Sequence, residues 1–269
     1  MGNHWIIAEK LEWIREFWRY KELLYFFVWR DIKVKYKQTV LGALWAVIQP
    51  FFSMVVFTIF FGKLAKMPSD GIPYPVFSYA ALVPWTYFTG ALSSSSMCLV
   101  GNSNLLTKVY FPRLAIPAAS VLAGLIDFLI ASILLGGVMM YYQIPFTWEL
   151  IFWPILVLPL MLLALGLGMS LASLNVKYRD IKYTIPFGIQ LLLFLTPIIY
   201  PVSIVPEKYR MLILLNPLTG IIEAFRSIVV HNKPVDFMSL GISFSVILVV
   251  LVIGFSVFQS TEKSFADLI

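Results

Sequence analysis

Residues 240–258 read LGISFSVILVVLVIGFSVF, an apolar run without a charged side chain. At about 1.5 Å per residue, a helix over this run is long enough to cross the roughly 30 Å of hydrocarbon in a bilayer. A helix that is apolar on every side must be covered by protein or lipid on every side. The run therefore predicts a transmembrane helix.

Five upstream runs are also strongly apolar, although the third contains Asp127 and the fifth is short and contains Pro186 and Pro197. Only 13% of the residues are charged and 60% are hydrophobic, whereas soluble domains are roughly 25% charged and 45–50% apolar. We therefore expect an all-α integral membrane protein with six transmembrane helices. The predicted spans are 41–61, 76–100, 115–142, 151–174, 185–200 and 240–258.

The distribution of basic residues predicts the orientation. With the N-terminus inside, 14 of the 20 Lys and Arg residues fall on the cytoplasmic side and none within a span. Cytoplasmic loops carry such an excess, so both termini are predicted to be cytoplasmic. The same bias accounts for the pI near 9.3, and we expect no nucleic-acid partner. The predicted parts are an N-terminal segment (1–39), a membrane domain (40–260) and a tail (261–269).

Residues 9–21 predict an amphipathic helix at the membrane surface. Trp13, Phe17 and Trp18 fall on one arc of the helix, and Arg15 and Arg19 fall on the other. Aromatic and apolar residues opposite charges are typical of interfacial helices. The same pattern also fits a helix packed on a soluble partner.

The segment between spans five and six is apolar but broken at Asn216-Pro217. Proline disfavours helix in the residue before it, and each half is too short to cross a membrane. We expect two re-entrant half-helices, with Glu223 and Arg226 paired at i, i+3. A flat surface hairpin is the alternative.

Signatures of catalysis are missing from the sequence. It has no G-x-x-x-x-G-K-[ST] loop, no H-E-x-x-H and no G-x-S-x-G. We expect no enzyme activity, metal site or cofactor in this chain, and no role for the single Cys98. Asp127 is the one acidic residue clearly within a predicted span, where acids are costly. It either serves a transport pathway or has a structural role.

Three spans carry aromatic residues along one helical face. Flat rings can stack on sugar rings without fixed polar geometry, and glutamines add hydrogen bonds without charge. These faces predict a substrate channel, although such stripes also pack against helices or lipid. The channel candidates are Trp45, Gln49, Phe52 and Phe60 on span one, Phe77 and Phe88 on span two, and Phe187, Gln190 and Phe194 on span five.

A series of short motifs resembles the ABC-2 type permeases, and among them the polysaccharide exporters. The resemblance covers nearly the whole chain, and the order and spacing of the motifs carry it. They are Arg30-Asp31-Ile32-Lys33, Leu41-Gly42-Ala43-Leu44-Trp45, Gln49-Pro50, Pro84-Trp85, Asn104-Leu105, Phe111-Pro112-Arg113, Tyr178-Arg179-Asp180, Pro197-Ile198 and Asn216-Pro217.

The resemblance implies a homodimer of this chain in a bacterial cytoplasmic (inner) membrane, paired with two copies of a separate ATPase that binds ATP and magnesium. The substrate it implies is a lipid-linked glycan of the O-antigen, capsule or teichoic-acid type. The broken outer segment, with Asn216, Pro217, Glu223 and Arg226, would form an external gate. The residues expected to contact the ATPase are Arg30, Asp31, Leu105, Tyr110, Arg113, Tyr178, Arg179 and Asp180.

Two other functions fit the sequence. One is a proton-coupled secondary transporter that uses Asp127. The other is an ABC-2 exporter of small molecules, for which we would expect a less aromatic pore.

Overall fold

The computed structural model describes residues 20–37, 42–108, 111–178, 180–229, 234–262 and 265. Within these ranges the regular elements are helices and no strand occurs, which confirms the all-α class. Short 3-10 turns occur at Gly42–Leu44 and Trp148–Phe152, and a π-helical segment occurs at Thr58–Leu64. The helices are α1 Lys21–Lys37, α2 Trp45–Phe57, α3 Tyr74–Gly101, α4 Ser103–Lys108, α5 Ala115–Ala123, α6 Leu125–Tyr141, α7 Val157–Lys177, α8 Ile181–Leu195, α9 Glu207–Leu214, α10 Pro217–Val229 and α11 Phe237–Glu262.

α3 is the central helix of the bundle. It packs most extensively against α7, and also against α2, α5, α6 and α10, while α7 packs on its other side against α11. Small residues allow these close approaches, as is usual between membrane helices. A Cβ on Gly168 would collide with Ser95 of α3, and one on Gly254 would collide with the backbone of Gly166.

Four described segments are long and apolar enough to cross a membrane, and they match predicted spans one, three, four and six. They are Gly42–Leu64, Ala115–Tyr141, Trp148–Lys177 and Phe237–Glu262. α3 has 28 residues and α8 has 15, but neither belongs to this set. α3 is rich in Ser, Thr and Tyr, which a helix covered by protein tolerates better than one covered by lipid. The helices alone therefore do not confirm the predicted count of six.

The fifth predicted span needs a correction. The sequence placed it at 185–200, but α8 covers Ile181–Leu195. Thr196 is extended, with φ −99° and ψ 137°, because the proline that follows disfavours a helical conformation at this residue. The segment after α8 is an irregular, buried turn.

The predicted break at Asn216-Pro217 is present. α9 and α10 meet there at 98°, and Pro217 is the first residue of α10, a position that its fixed φ favours. Most of α10 is buried, whereas no residue of α9 is. Only α9 lies on the surface, so the two helices do not form the flat surface hairpin that was the alternative.

The connections between helices gather at two ends of the bundle. At one end, Phe27 of α1, Leu99 of α3, Phe111 before α5 and Phe258 of α11 share an apolar cluster. At the opposite end, the Tyr74 hydroxyl donates to the Ile199 carbonyl at 2.7 Å. The N-terminal segment, the loop after span two and the C-terminal end of the chain thus share one end, the grouping that the charge distribution predicts.

α1 is a helix that the sequence analysis did not predict. The predicted amphipathic helix at 9–21 lies almost entirely outside the described residues. α1 instead begins at Lys21 and contains the apolar residues 23–29, followed by the basic stretch that ends at Lys37. Phe27 packs edge-on against Phe111 at 5.5 Å, while Phe26 and Trp29 are exposed.

Candidate functional site

A cavity of about 550 Å³ lies between α1, α2, α3, α6 and α8. This volume is within the range of about 300–1,000 Å³ that small-molecule pockets occupy. Its walls mix the aromatic rings of Tyr36 and Trp45 with amide, hydroxyl and charged groups. Among the residues that line it are Trp45, Gln49, Thr86, Thr89, Lys35 and Asp127.

The predicted channel faces of spans one and five are open in the single chain. The rings of Trp45, Phe52, Phe60, Phe187 and Phe194 are each 53–60% exposed, and Gln49 and Gln190 are exposed beside them. Trp45 and Gln49 also border the cavity. These faces are therefore available to a substrate, to a second chain or to lipid.

Span two differs from this prediction, because Phe77 and Phe88 are buried in the core. Phe77 is 1% exposed and Phe88 is not exposed at all. Phe77 packs against Tyr74, and Phe88 packs against Trp85. Neither ring has a free face, so we do not place them on a pathway.

The open face of span two carries hydroxyl groups instead. Thr86, Thr89 and Ser93 are partly exposed, and Gly90 between them is exposed. Their spacing of three or four residues places them on one side of α3. This polar stripe was not predicted, because the prediction for span two rested on its aromatic residues. Hydroxyl and small residues at helical spacing were the signal that could have revealed it.

Asp127 is paired with two side chains of α1. The Lys35 ammonium donates to its Oδ2 atom and the Tyr36 hydroxyl to its Oδ1 atom. Burial, and then the hydrogen bond to Asp127, raise the pKa of Tyr36 above its usual value. This basic partner was not predicted, because no Lys or Arg lies within a predicted span and Lys35 comes before the first of them.

The external-gate candidates form one connected cluster. Asn216 accepts from the Leu218 amide at 3.1 Å and donates to the Thr196 hydroxyl at 2.9 Å, which joins the start of α10 to the end of α8. The predicted pair of Glu223 and Arg226 is present at 3.0 Å.

Arg226 is fully buried. Its guanidinium donates to the carbonyls of Pro197 at 2.5 Å and Ile198 at 2.6 Å, and lies 3.7 Å from the centre of the Phe77 ring. The arginine therefore holds the turn after α8 against α10 and the start of α3.

The six predicted ATPase-contact residues that the structure describes lie at the end of the bundle that contains α1. Arg30 and Asp31 pair with each other at 2.8 Å, and Tyr178 and Asp180 are exposed. Leu105 packs against the apolar cluster of that end, and Arg113 donates to the Glu262 carbonyl of α11. Tyr110 and Arg179 lie outside the described residues.

The fold and this site define a helical membrane protein of the transporter class, with an uncovered aromatic face and a polar cavity between its spans. Residues 22–230 match the ABC-2 type transporter family. The chain belongs to this family.

Relatives with similar sequences align over most of the chain. It is 31% identical over 260 residues to the O-antigen export system permease protein RfbA of Myxococcus xanthus, with 94% of this chain and 98% of the relative covered. It is 28% identical over 246 residues to the O-antigen export system permease protein RfbA of Klebsiella pneumoniae, with 89% and 92% covered. It is 25% identical over 245 residues to the polysialic acid transport protein KpsM of Escherichia coli, with 87% and 92% covered.

Proposed function

We propose that this chain is the permease subunit of an ATP-driven exporter that moves lipid-linked polysaccharide across the cytoplasmic membrane of a bacterium. The observation that carries the proposal is the similarity, over nearly the whole chain, to permeases named for O-antigen export and polysialic acid transport. The substrate is of the O-antigen, capsule or teichoic-acid type. The open aromatic and amide faces of spans one and five suit a chain of sugars, because ring stacking tolerates varied sugars.

The active assembly is a homodimer of this chain with two copies of an ATPase subunit, which binds ATP and magnesium. A second copy would enclose the open aromatic faces of spans one and five between the two chains. The ATPase lies against the end of the bundle that contains α1, where Tyr178 and Asp180 are exposed. α9 and α10 at the opposite end form the external gate.

The chain crosses the membrane six times, with both termini cytoplasmic. α3 and α8 supply the two crossings beyond the four apolar segments, since both run between the two ends of the bundle. A cysteine at Ser69, in a chain in which Cys98 is replaced by Ala, should react with an impermeant thiol reagent from outside. A cysteine at Lys177 in the same background should not, and the reverse labelling pattern would refute this orientation.

Asp127 is not assigned to proton transport. A proton carrier must release and rebind its proton along a pathway, whereas this carboxylate accepts from Lys35 and Tyr36. The pair compensates a charge that would otherwise be costly between membrane helices. Export should therefore follow ATP and persist when the proton gradient is collapsed at constant ATP.

The aromatic pathway is tested by changing Phe52, Phe60 and Phe194 to Leu, which keeps the side chains apolar but removes the flat rings. We expect the variant to assemble with the ATPase and to export much less glycan. The control changes three other exposed phenylalanines, Phe146, Phe237 and Phe244, to Leu. Normal export by the first variant, at normal expression, would count against an aromatic pathway made by these rings.

A further inference from the structure

The polar stripe on α3 is unusual for its position. α3 is buried over most of its length, and the middle of its open side carries Thr86, Thr89, Gly90 and Ser93. A helix in contact with lipid is expected to be apolar on that side. Hydroxyl groups there indicate a side that meets water or a polar ligand.

The threonine hydroxyls are already fixed in orientation. Thr86 donates to the Leu82 carbonyl at 2.9 Å, and Thr89 donates to the Trp85 carbonyl at 3.1 Å. Each hydroxyl oxygen keeps lone pairs directed away from its own helix. The stripe therefore presents a row of hydrogen-bond acceptors to the cavity.

The charged groups of the cavity balance each other. Lys35 donates to one oxygen of Asp127, and an ammonium has three donors in all. A carboxylate likewise accepts more bonds than the two it receives here. The pair is neutral overall, so it offers no excess positive charge to an anion. A phosphate bound there would be repelled by the Asp127 carboxylate. A neutral group with several hydroxyls could bond to both members of the pair.

We propose that this cavity is a sugar-binding site at the cytoplasmic mouth of the pathway. Trp45 provides a ring face on which a sugar can stack, and Lys35, Asp127, Gln49 and the α3 hydroxyls bond to its hydroxyl groups. The inference rests on the proposed function and adds that one sugar unit is recognised here before the chain enters the aromatic region. Charged and amide side chains can discriminate between sugars, whereas stacking alone cannot.

Gly90 provides a direct test of this site. A Cβ on Gly90 would meet no atom within 4 Å, so a larger side chain can project into the cavity without disturbing the packing of α3. A Cβ on Gly241 of α11 would likewise meet no atom within 4 Å, and Gly241 is exposed away from the cavity. Gly241→Trp is therefore the matched control for Gly90→Trp.

The first measurement is surface glycan in cells that lack the native gene and express each variant. We expect Gly90→Trp to lower surface glycan at least tenfold and Gly241→Trp to keep it within twofold of wild type. The deletion strain itself separates the two hypotheses. If deletion leaves surface glycan unchanged, the proposed function fails. If deletion abolishes it but Gly90→Trp exports normally, only the sugar site fails.

The second measurement does not depend on how Gly90→Trp folds. A Gly90→Cys, Cys98→Ala chain is assembled with its ATPase in vesicles and then treated with N-ethylmaleimide. The probe is the lipid-linked glycan extracted from the deletion strain. Labelling should remove the glycan-stimulated part of ATP turnover, while the same treatment of the Cys98→Ala chain should not. Full stimulation after complete labelling would overturn the proposal.

A sugar-free polyprenyl phosphate distinguishes the sugar from the lipid headgroup. We expect it to stimulate ATP turnover much less than the glycan does. Equal stimulation by both probes, blocked equally by the label, would show that the cavity binds phosphate and would overturn the sugar assignment. A Thr86→Val, Thr89→Val chain should need at least a fivefold higher glycan concentration for half-maximal stimulation.

Discussion

Arg226→Met is the substitution expected to destabilise the chain most, because it removes a buried cation from a site built around it. The guanidinium is fully buried and donates to the carbonyls of Pro197 and Ile198 as well as to Glu223. Breaking a buried ion pair by removing one partner costs about 3–5 kcal/mol. Each buried carbonyl that loses its donor costs about 1–3 kcal/mol more.

These contributions overlap, since the contacts share one side chain. We therefore expect a loss of at least about 4 kcal/mol in the free energy of unfolding. At roughly 2–4 °C per kcal/mol for a chain of this size, the thermal midpoint of the purified complex should fall by about 8 °C or more. Arg226→Lys keeps the charge but not the planar set of donors, and should lie between wild type and Arg226→Met.

The assay is thermal unfolding of the purified complex, followed by the loss of assembled protein with temperature. Adding Glu223→Gln to Arg226→Met should recover part of the loss, because the unpaired carboxylate is then removed. A fall of less than about 3 °C for Arg226→Met, which corresponds to about 1 kcal/mol, would refute the reasoning. So would a Glu223→Gln chain that is as unstable as Arg226→Met, because Glu223 is only one of the arginine's acceptors.

Three further predictions concern the packing and charges of other helices. Gly254→Ala should lower stability by about 1–3 kcal/mol in the same thermal assay, because the new Cβ would collide with the carbonyl of Gly166 where α7 and α11 cross. An unchanged thermal midpoint would contradict this crossing. A double-mutant cycle of Lys35→Gln and Asp127→Asn should show a coupling of about 0.5–1 kcal/mol in the free energy of unfolding. The value is modest because Lys35 is about half exposed, and additive effects of the two changes would exclude the pair. Asp236→Ala should cost about 1 kcal/mol because it removes the cap of α11. Hydrogen bonds from the first turn, chiefly a serine hydroxyl, lower the pKa of Asp236 below its usual value, so its stabilisation is present above the unfolded-state pKa and is lost as pH falls through the lowered value. The difference between wild type and Asp236→Ala should accordingly shrink once the pH is below that lowered pKa, and a difference that persists in strong acid would contradict the assignment.

The sequence predicted the features that depend on local chemistry. Long apolar runs predicted four of the helices that can cross a membrane, and the proline at 217 predicted the break before α10. The i, i+3 spacing predicted the pair of Glu223 and Arg226. Each of these follows from residues close together in the chain.

Features that depend on tertiary neighbours were not predictable in the same way. The pairing of Lys35 with Asp127 joins residues 92 positions apart. The apolar and basic residues of α1 are spread over several faces of the helix, so its sequence lacks an amphipathic signal. α3 shows the same limit, since its buried residues include both aromatic side chains and serines. Which side is buried depends on whether protein or lipid surrounds the helix, and the sequence of α3 alone does not specify this.

The positions of Arg226 and Asp127 bear directly on how a polar chain could pass through this molecule. Arg226 lies at the end of the bundle that holds α9, and Asp127 faces α1 near the other end; each has an opposite charge beside it. Beyond the cavity, the open faces of spans one and five present the rings of Phe52, Phe60 and Phe194 and the amide of Gln190. A charge in that interval would bind a polar substrate strongly and slow its release, whereas rings and amides offer many weak contacts of similar strength. The uncharged interval thus favours movement of the substrate once it has left the cavity, because the paired charges lie only at its ends.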